Sequence, residues 1–483
     1  MKDIFLFIKK NNFNLLIILL LVFGILLRLK GFLYNPSFWH DECALGWNIK
    51  ALGYGELFGT LKFLQMAPPF CLIFTKAVTQ IVGFSDFSLR IIPFIASFLS
   101  LFSFYFLAKT FLNKKSSLFL AVFLFCINYE LINYAYELKF YGIDVLLTIL
   151  SIIFFEKVDF EKYTLKKLFI YGSIMSLCTW FSFVSVFTIA GGFVYLFFKD
   201  IKKHWQKKIM FFIPTLFSGI VNLIVMLEKN KNFGGMANYW SNSFVTSDNF
   251  FVLIRNALDY YFYPASAVLF ALIFIVWGII LLYKKKGRAV NLLVFPVVFC
   301  FLFSFLRIYP FADRLILFLL PVFIIFVVAP TEEIEKKRIF KSIFIVFASF
   351  LLFFPQVTNL YDYISNQNLE RGENPREAMK ILAENIKPQD KIVINRASDT
   401  EFAYYSLFYN LKNEMIRDNV TGLGKEEYFK FLNNLKKGKY WFFLSFEYSG
   451  KEVIPYVLEW INTQDVSFYK KINSSYVFCV EKK

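Results

Sequence analysis

Motifs for metal binding and disulfide formation are missing from this sequence. Its 483 residues include only six cysteines and two histidines. The cysteines are scattered, and no spacing typical of a zinc site or a disulfide framework occurs. No internal repeat or low-complexity segment is evident. The sequence therefore predicts no metal site and names no cofactor, with a divalent cation left open.

Charged residues are also scarce, at 18% of the chain, whereas 57% of residues are hydrophobic and 21% are aromatic. A soluble domain could not bury that much apolar surface in one core, and the 66 phenylalanines need lipid or neighbouring helices around them. The net charge of +17 does not indicate nucleic-acid binding, because much of the Lys and Arg lies in short loops between apolar runs. The composition predicts a multi-pass membrane protein whose partner is the lipid bilayer, not nucleic acid.

The first apolar run fixes the predicted orientation of the N-terminus. Residues 13–29 form a stretch about 25 Å long as a helix, and three lysines precede it. Positive charge before a span places the N-terminus in the cytoplasm. No small-residue cleavage site follows, so the span is predicted to stay uncleaved. Richness in Lys, Asn, Ile and Phe suggests an A+T-rich bacterial genome. The expected location is the bacterial inner membrane.

Basic clusters between the apolar runs predict the remaining topology. With these clusters in the cytoplasm, the chain contains about eleven spans of the length that a bilayer requires. A further apolar stretch at 67–83 is predicted to be a juxtamembrane helix, because counting it as a span would place Lys114 and Lys115 outside. The predicted spans lie near 13–30, 88–110, 117–133, 142–156, 168–183, 184–198, 209–228, 264–283, 289–307, 314–330 and 342–359.

The chain changes character after the last predicted span. Residues 361–483 alternate helix-like stretches with short strand-like ones, which indicates a small α/β domain. The odd number of spans places this domain and the C-terminus outside the cytoplasm. The predicted organisation is thus a polytopic helical membrane domain over 1–360, with a first external loop at 31–87, and an extracytoplasmic α/β domain over 361–483.

Two adjacent carboxylates, Asp41 and Glu42, follow Trp39 and His40 in the first external loop. Charges so close to a bilayer usually have a function, and an enzyme acting on a lipid-carried substrate needs a base there. Asp41 is predicted to be that base, and Glu42 to raise its proton affinity or orient an acceptor or ion. The alternative is that Asp41 caps a helix over 42–51.

A second polar cluster lies at the turn after the third predicted span, where Glu137, Lys139 and Tyr141 occur within five residues. So many acid–base groups at a bilayer boundary indicate a substrate site. Lys139 is predicted to contact a phosphate, with Glu137 and Tyr141 as substrate-site candidates. Alternatively, Glu137 and Lys139 pair with each other or anchor the membrane interface.

A third cluster lies between the ninth and tenth predicted spans and contains Tyr309 and Arg314. Arg314 precedes an apolar stretch, where its guanidinium needs an anion, and the fork of donors matches phosphate oxygens. It is predicted to bind the donor phosphate, with pairing to Asp313 or Asp41 as the alternative. Arg90 is a weaker candidate for the same role, and Tyr309 is a substrate-site candidate.

A fourth cluster, Tyr239 and Trp240, follows a pair of glycines at 234–235 in the predicted external loop 229–249. A glycine hinge and aromatic side chains suit a mobile loop over a sugar or lipid. Interfacial Tyr and Trp are also what membrane boundaries generally contain, and that interpretation is favoured here. Both residues remain substrate-site candidates.

Several motifs occur in order and at fitting separations along the chain. They are 39–42, Gln65 to Pro69, Gly83 to Asp86 with Leu89 and Arg90, Glu137 to Tyr141, and Tyr309 to Arg314. Together they resemble the bacterial form of the membrane-embedded GT-C glycosyltransferases, in the superfamily of dolichyl-phosphate-mannose protein mannosyltransferases and aminoarabinose transferases. The resemblance covers about residues 10–330.

This resemblance implies a polyprenyl-phosphate-linked sugar as donor, an extracytoplasmic acceptor, inversion at the anomeric carbon, and Asp41 as the catalytic residue. Many relatives carry an acidic residue and a lysine just before the Pro-Pro pair, whereas this chain has Gln65, Met66 and Ala67. That departure shifts the expected phosphate contacts toward Lys139 and Arg314 and leaves Gln65 as a substrate-site candidate.

Two other functional classes compete with a glycosyltransferase that acts on a glycan, lipid or protein acceptor. A transporter or flippase of lipid-linked sugars would place polar groups at mid-span in broken helices, whereas here they gather at span ends. A non-catalytic glycan-assembly factor would have no need of the Asp41–Glu42 pair. The enzyme is therefore the preferred interpretation.

Overall fold

The computed structural model describes the chain except residues 1, 200–202, 231–237, 263–267, 335–337, 366–371, 421, 423, 448–452 and 483. It is mostly helical, with a five-stranded sheet near the C-terminus. The principal helices before that sheet are Lys2–Tyr34, His40–Ala51, Pro69–Val82, Ile91–Phe111, Lys115–Ile127, Tyr129–Asn133, Tyr141–Lys157, Leu165–Phe181, Ser185–Lys199, Trp205–Asn230, Phe250–Phe262, Val268–Lys286, Asn291–Phe305, Leu320–Val328 and Ile339–Ile364.

Among the described residues, six helical stretches are long and apolar enough to cross a membrane. Four other predicted spans coincide with shorter helices, of 13 residues at Lys115–Ile127, 17 at Tyr141–Lys157 and Leu165–Phe181, and 15 at Ser185–Lys199. A bilayer core takes roughly 17–25 helical residues, so these lie at or below the lower limit. A multi-pass membrane protein is confirmed, and the count of about eleven spans stays a prediction.

One of the six apolar stretches, Val268–Phe305, has 38 residues, which is too long for a single crossing. It divides at Gly287, whose φ of +56° is a left-handed conformation that glycine adopts without a steric penalty. The helix Val268–Lys286 ends there, and Asn291–Phe305 follows after one 3₁₀ turn. The break lies between the two spans predicted at 264–283 and 289–307.

Besides the His40–Ala51 helix, two helices of 13 and 14 residues in the membrane domain lie outside the predicted spans. Pro69–Val82 occupies the stretch predicted as a juxtamembrane helix and begins with a proline, which the first helical position tolerates. The helix Phe250–Phe262 was not predicted, because Arg255, Asn256 and Asp259 divide its apolar residues into runs far shorter than a membrane span.

Basic loops gather at one end of the helices. The Glu332 carboxylate binds the Lys285 ammonium at 2.7 Å and accepts the backbone N–H of Lys114 at 2.8 Å. Lys286 donates to the Asn113 side chain at 2.9 Å. The basic segments at 113–115 and 284–286 therefore meet on one face, as the topology requires, although the assignment of this face to the cytoplasm stays a prediction.

The C-terminal sheet has the strand order β2-β1-β3-β5-β4, where β1 is Lys391–Ile394, β2 Met415–Arg417, β3 Gly438–Leu444, β4 Asp465–Ile472 and β5 Ser475–Lys482. Strands β1, β2 and β3 run parallel, and β3, β5 and β4 antiparallel. The helices with it are Pro375–Asn385, Asp399–Tyr405, Lys425–Asn433 and Ile454–Ile461. The predicted α/β character is confirmed. The edge strands β2 and β4 were missed because β2 has only three residues and neither strand has a fully buried side chain or an apolar run longer than two residues.

The sheet domain does not stand apart from the helices. One hydrophobic core contains Phe38 and Leu45 near the predicted catalytic carboxylate together with Met379, Tyr404 and Trp441 from the C-terminal region. Burial of such side chains contributes about 1.5–3 kcal/mol each. The sheet domain is thus packed against the same face of the molecule that carries Asp41.

Candidate active site

Asp41 lies in the first turn of the helix His40–Ala51. The cap position belongs to Trp39, and its side chain makes no capping hydrogen bond. The capping alternative for Asp41 is therefore wrong, since the helix begins one residue before Asp41. A carboxylate in the first turn of a helix interacts favourably with the helix dipole, whichever acidic residue carries it. The side-chain contacts of Asp41 are more specific than that interaction.

Three polar side chains from distant parts of the sequence meet at the Asp41 carboxylate. The ammonium of Lys139 lies 3.1 Å from Oδ2, and the guanidinium of Arg314 lies 3.3 Å from the same oxygen. The Gln65 amide donates to Oδ1 at 3.4 Å, and its own oxygen accepts from Lys139 at 3.1 Å. The Asp41 side chain keeps 20% of its surface exposed and Arg314 25%. A substrate can therefore reach the group.

The two cations decide the protonation state of Asp41. Burial disfavours the charged carboxylate, but the charges of Lys139 and Arg314 outweigh it and lower the pKa of Asp41 to about 2. The carboxylate is ionised at neutral pH. While both cations remain on it, it is also a weak base, because a base is most effective when its pKa lies near the working pH.

The Trp39 side chain lies beside Lys139 and Arg314. Its ring lies 5.9 Å from the Lys139 ammonium and 5.4 Å from the Arg314 guanidinium, within cation–π range. Its indole N–H donates to the Glu137 carboxylate at 2.5 Å, and Glu137 also accepts from Asn133 at 3.3 Å. Glu137 thus orients Trp39, and Lys139 points to Asp41.

Glu42 and Arg90 form a buried pair with no exposed side-chain surface on either partner. The guanidinium binds the carboxylate through Nε at 3.0 Å and Nη2 at 2.9 Å, and its remaining donor group binds Asn35 and the carbonyl of Pro36. Glu42 also accepts the backbone N–H of Leu138 at 2.6 Å. Substrate cannot reach either group. The geometry therefore indicates a structural role for both residues, in place of the catalytic role predicted for Glu42 and the phosphate-binding role predicted for Arg90. The pair joins the Asp41 helix to the turn that carries Lys139.

His40 faces away from the Lys139 and Arg314 cluster toward the C-terminal domain. Its Nδ1 lies 2.8 Å from the carboxylate of Glu401, and its ring stacks on Phe446 at 4.3 Å between centroids. Burial lowers the pKa of the imidazole, but the bond to Glu401 and the charges of Glu401 and Asp41 outweigh it and raise the pKa above the ordinary value. His40 therefore makes an interdomain contact in place of the substrate contact predicted for it.

The two tyrosine candidates lie behind the charged groups. Tyr141 begins the helix Tyr141–Lys157, and its ring packs edge-on against Tyr134 at 4.9 Å. Tyr309 donates its hydroxyl to the carbonyl of Leu315 at 2.7 Å. Because that carbonyl follows Arg314 directly, Tyr309 supports the segment that carries the guanidinium.

Tyr239 and Trp240 contact each other at 5.0 Å, and Tyr239 is 73% exposed. The adjoining turn, Ser241–Ser243, is joined to the Arg314 segment by the Phe311 N–H, which donates to the Ser243 carbonyl at 2.8 Å. The aromatic pair thus lies on a loop that borders the Arg314 segment, and this exposure suits the membrane-interface interpretation. The predicted glycine hinge at 234–235 lies outside the described residues.

Four residues that connect the C-terminal domain to the region of Asp41 were not predicted as site residues. Arg376, Glu401 and Tyr405 come from the C-terminal domain and bind the segment before Asp41 or its neighbour His40. Asp86 receives Arg376 and Tyr405. Asp86 had a signal, because it belongs to one of the recurring motifs. The other three lie more than 330 residues from Asp41 with no pattern to mark them.

The arrangement can accept a proton at Asp41 and hold an anion between Lys139 and Arg314. Within the described part of the chain, no group of three or more His, Cys, Asp or Glu side chains is placed to hold a metal ion. The residues at Asp41 are two cations and an amide, which suit a phosphate.

Comparison with known proteins gives a family likeness. A family model described as dolichyl-phosphate-mannose-protein mannosyltransferase matches residues 66–227, a match that contains Lys139 but begins after Asp41. No curated protein matches the sequence.

Solved structures of low sequence identity share the fold. ArnT from Cupriavidus metallidurans bound to undecaprenyl phosphate is 10% identical, with 96% of this chain and 97% of that chain covered and a TM-score of 0.56. An Archaeoglobus fulgidus oligosaccharyltransferase in complex with zinc and sulfate is 12% identical over 88% of this chain and 67% of that chain, with a TM-score of 0.50. The predicted resemblance to GT-C glycosyltransferases is confirmed, and the chain has their fold.

Proposed function

We propose that this protein is an integral-membrane glycosyltransferase that moves one sugar from a polyprenyl phosphate to an acceptor hydroxyl outside the cytoplasm. The observation that carries the proposal is the partly exposed Asp41 carboxylate with Lys139 and Arg314 on one of its oxygens. A base and a pair of phosphate-binding cations at one point are what transfer from a lipid phosphate needs. The fold shared with ArnT supports the donor class.

The reaction places each residue in a role. The acceptor oxygen attacks the anomeric carbon from the face opposite the phosphate and loses its proton to Asp41. The bond between the anomeric carbon and the phosphate oxygen breaks, and the electron pair leaves with the phosphate. Lys139 and Arg314 stabilise the charge that develops on that phosphate. Attack from the opposite face inverts the anomeric configuration.

The same two cations explain how a weak base becomes an effective one. When Lys139 and Arg314 bind a donor phosphate, they stabilise the Asp41 carboxylate less. The negative charge of the phosphate also raises the proton affinity of Asp41. The pKa of Asp41 therefore rises from about 2 as the donor binds. Proton acceptance is thereby linked to the presence of the leaving group.

The proposed location follows from the topology. His40, which adjoins Asp41, contacts Glu401 of the C-terminal domain, so Asp41 and that domain lie on one side of the membrane, which the basic loops predict to be the outside. Transfer of label from a polyprenyl-phosphate sugar by the purified chain tests the activity. A chain that binds the lipid but moves it across vesicles without transferring sugar would instead favour the flippase alternative.

Arg314→Lys should weaken donor binding more than folding. Lysine keeps the charge but loses the planar fork that binds two phosphate oxygens, and a hydrogen bond to a charged group contributes about 1.5–3 kcal/mol. The dissociation constant for polyprenyl phosphate is expected to rise roughly tenfold or more, with the melting temperature nearly unchanged. Binding as tight as that of the wild type would assign Arg314 to pairing with Asp41 alone.

The matched control for Arg314 is Arg417→Lys. Arg417 forms an ion pair with Asp399 at 2.6 Å on the surface of the C-terminal domain. The same substitution there changes an ion pair without touching Asp41, so donor binding should stay unchanged.

Lys139→Gln should move the acid limb of the pH profile. Lys139 holds the pKa of Asp41 down, so its removal lets that pKa rise toward the ordinary value near 4. A base must be deprotonated to act. The fall of kcat/KM on acidification, which reports the free enzyme, should therefore begin at a higher pH in the variant. Lys162→Gln, an exposed lysine paired with Asp159, should keep the wild-type profile. An unmoved limb would separate Lys139 from the titration of Asp41.

A further inference from the structure

The segment before Asp41 has no regular secondary structure, yet the C-terminal domain holds its backbone. The Arg376 guanidinium donates to the carbonyls of Asn35 at 2.9 Å and Pro36 at 3.0 Å. The Phe38 N–H donates to the Tyr405 hydroxyl at 2.9 Å. Part of the hydrogen bonding of the backbone at 35–38 is thus supplied by side chains from the other domain.

Asp86 joins these contacts to the helical domain. Its carboxylate accepts from Tyr404 at 2.6 Å, from Tyr405 at 2.9 Å and from the Arg376 guanidinium at 2.5 Å. A buried carboxylate with three donors is a satisfied polar network, which rigidifies its surroundings. The C-terminal domain is therefore fastened beside the segment that leads to Asp41.

Glu401 extends this interface to the residue adjoining Asp41. It is fully buried, and one of its oxygens binds His40 at 2.8 Å. Among the described residues the other oxygen, Oε2, has no hydrogen-bond partner. A buried carboxylate left half unpaired is unfavourable. A positively charged His40 as the partner of Glu401 offsets part of this unfavourable free energy.

The helix that carries Asp41 also packs directly against this part of the C-terminal domain. A Cβ atom at Gly46 would lie 2.6 Å from the Tyr404 ring, so only glycine allows the observed approach. Phe446 of the C-terminal domain stacks on the ring of His40, at the first turn of the same helix. The His40–Ala51 helix is thus held at its first turn and along its length.

We propose that Glu401 is a positioning residue of the active site. Through His40, it fixes the first helical turn and with it the Asp41 carboxylate. This inference rests on the proposed function and deepens it: the C-terminal domain completes the active site of the membrane domain, in addition to any role in binding an acceptor.

The electrostatic consequence has a definite sign. The groups that act on the His40 charge are Glu401 and Asp41, which favour the imidazolium, and Lys139, which opposes it. Because the pKa of His40 is raised, the charged pair is present at low pH and is lost as the pH rises through that pKa. Activity should therefore decline on the alkaline side as His40 loses its proton.

The test compares full-length wild type, Glu401→Gln, His40→Asn and the double variant. Glutamine has the shape of glutamate but no charge. The kcat of Glu401→Gln is expected to fall about ten- to hundredfold, the range for a misplaced catalytic group, with the KM for the lipid-linked donor nearly unchanged. Its alkaline limb should move to lower pH. The double variant should be no worse than either single one, because both remove the same contact.

Controls separate positioning from folding and from the proposed reaction. Glu459→Gln removes a surface ion pair with Lys425 at 2.7 Å and should behave as wild type. The chain has only two histidines, so His204→Gln assigns the His40 imidazole in an NMR titration that needs no enzymatic activity. The pKa of His40 should be lower in Glu401→Gln than in wild type.

The outcomes are distinct. An unchanged His40 titration, or a wild-type kcat and pH profile in Glu401→Gln, would overturn the positioning role. Additive losses in the double variant would overturn it as well. If the wild type transfers no sugar while the His40 titration shifts as expected, the proposed function fails and the Glu401–His40 contact stands.

Discussion

Asp41→Asn is expected to lower turnover by roughly a hundredfold or more, the usual contribution of a positioned general base. Asparagine keeps the size of the side chain but cannot take the acceptor proton. Donor binding should be as tight as in the wild type or tighter, because the substitution removes the carboxylate that pairs with Lys139 and Arg314, the proposed phosphate-binding residues. The measurement is transfer from a labelled lipid-linked sugar beside a direct binding assay.

The combination of lost turnover and preserved binding distinguishes a base from a merely structural residue. Asp159→Asn is the matched control, since Asp159 lies in a surface ion pair with Lys162 and makes no contact with the Asp41 cluster. Near-wild-type transfer by Asp41→Asn would refute the assignment of Asp41 as the base. Glu42 would not become the next candidate, because its carboxylate is buried on Arg90.

Glu42→Ala is expected to produce the largest loss of stability. The substitution leaves the Arg90 guanidinium buried without its counter-charge, a change that typically costs about 3–5 kcal/mol of the free energy of unfolding. It also removes the acceptor for the Leu138 N–H, next to Lys139. A marked fall in the thermal unfolding temperature of the detergent-solubilised protein, with loss of activity as a consequence, is the predicted result.

Two comparisons make the Glu42 experiment specific. Glu56→Ala removes an exposed carboxylate from the same loop and should leave the unfolding temperature nearly unchanged. The double variant Glu42→Leu with Arg90→Met replaces both charges by apolar groups and should recover part of the lost stability. A Glu42→Ala protein that is as stable as wild type but inactive would return Glu42 to the catalytic group.

Much of the site was predictable because its residues occur in short motifs at the ends of apolar runs. Asp41, Lys139 and Arg314 each drew attention as charges at a bilayer boundary, where ionisable groups are unfavourable unless they have partners. Gln65 was identified by its departure from the pattern of relatives. The structure brings these four together at distances of 3.1 to 3.4 Å.

The partners of each charge were not predictable, since pairing depends on geometry that periodicity does not encode. Arg90 and Arg314 are both arginines beside apolar helices, and both were predicted to bind the donor phosphate. One is fully buried on Glu42, and the other keeps 25% of its side chain exposed beside Asp41. Edge strands β2 and β4 were missed because neither has a fully buried side chain and neither contains an apolar run longer than two residues.

A multi-pass helical membrane protein with a small α/β domain could be predicted from the amino-acid sequence, because apolar run length, loop charge and residue alternation follow local rules. The charges at the ends of the apolar runs could also be recognised as site candidates. Which of them pair, the position of Asp41 beside two cations, and the contact of Glu401 with His40 across 361 positions of the chain follow from the folded structure alone. Contacts at such separations depend on how helices and sheet pack, and packing is a property of the whole chain.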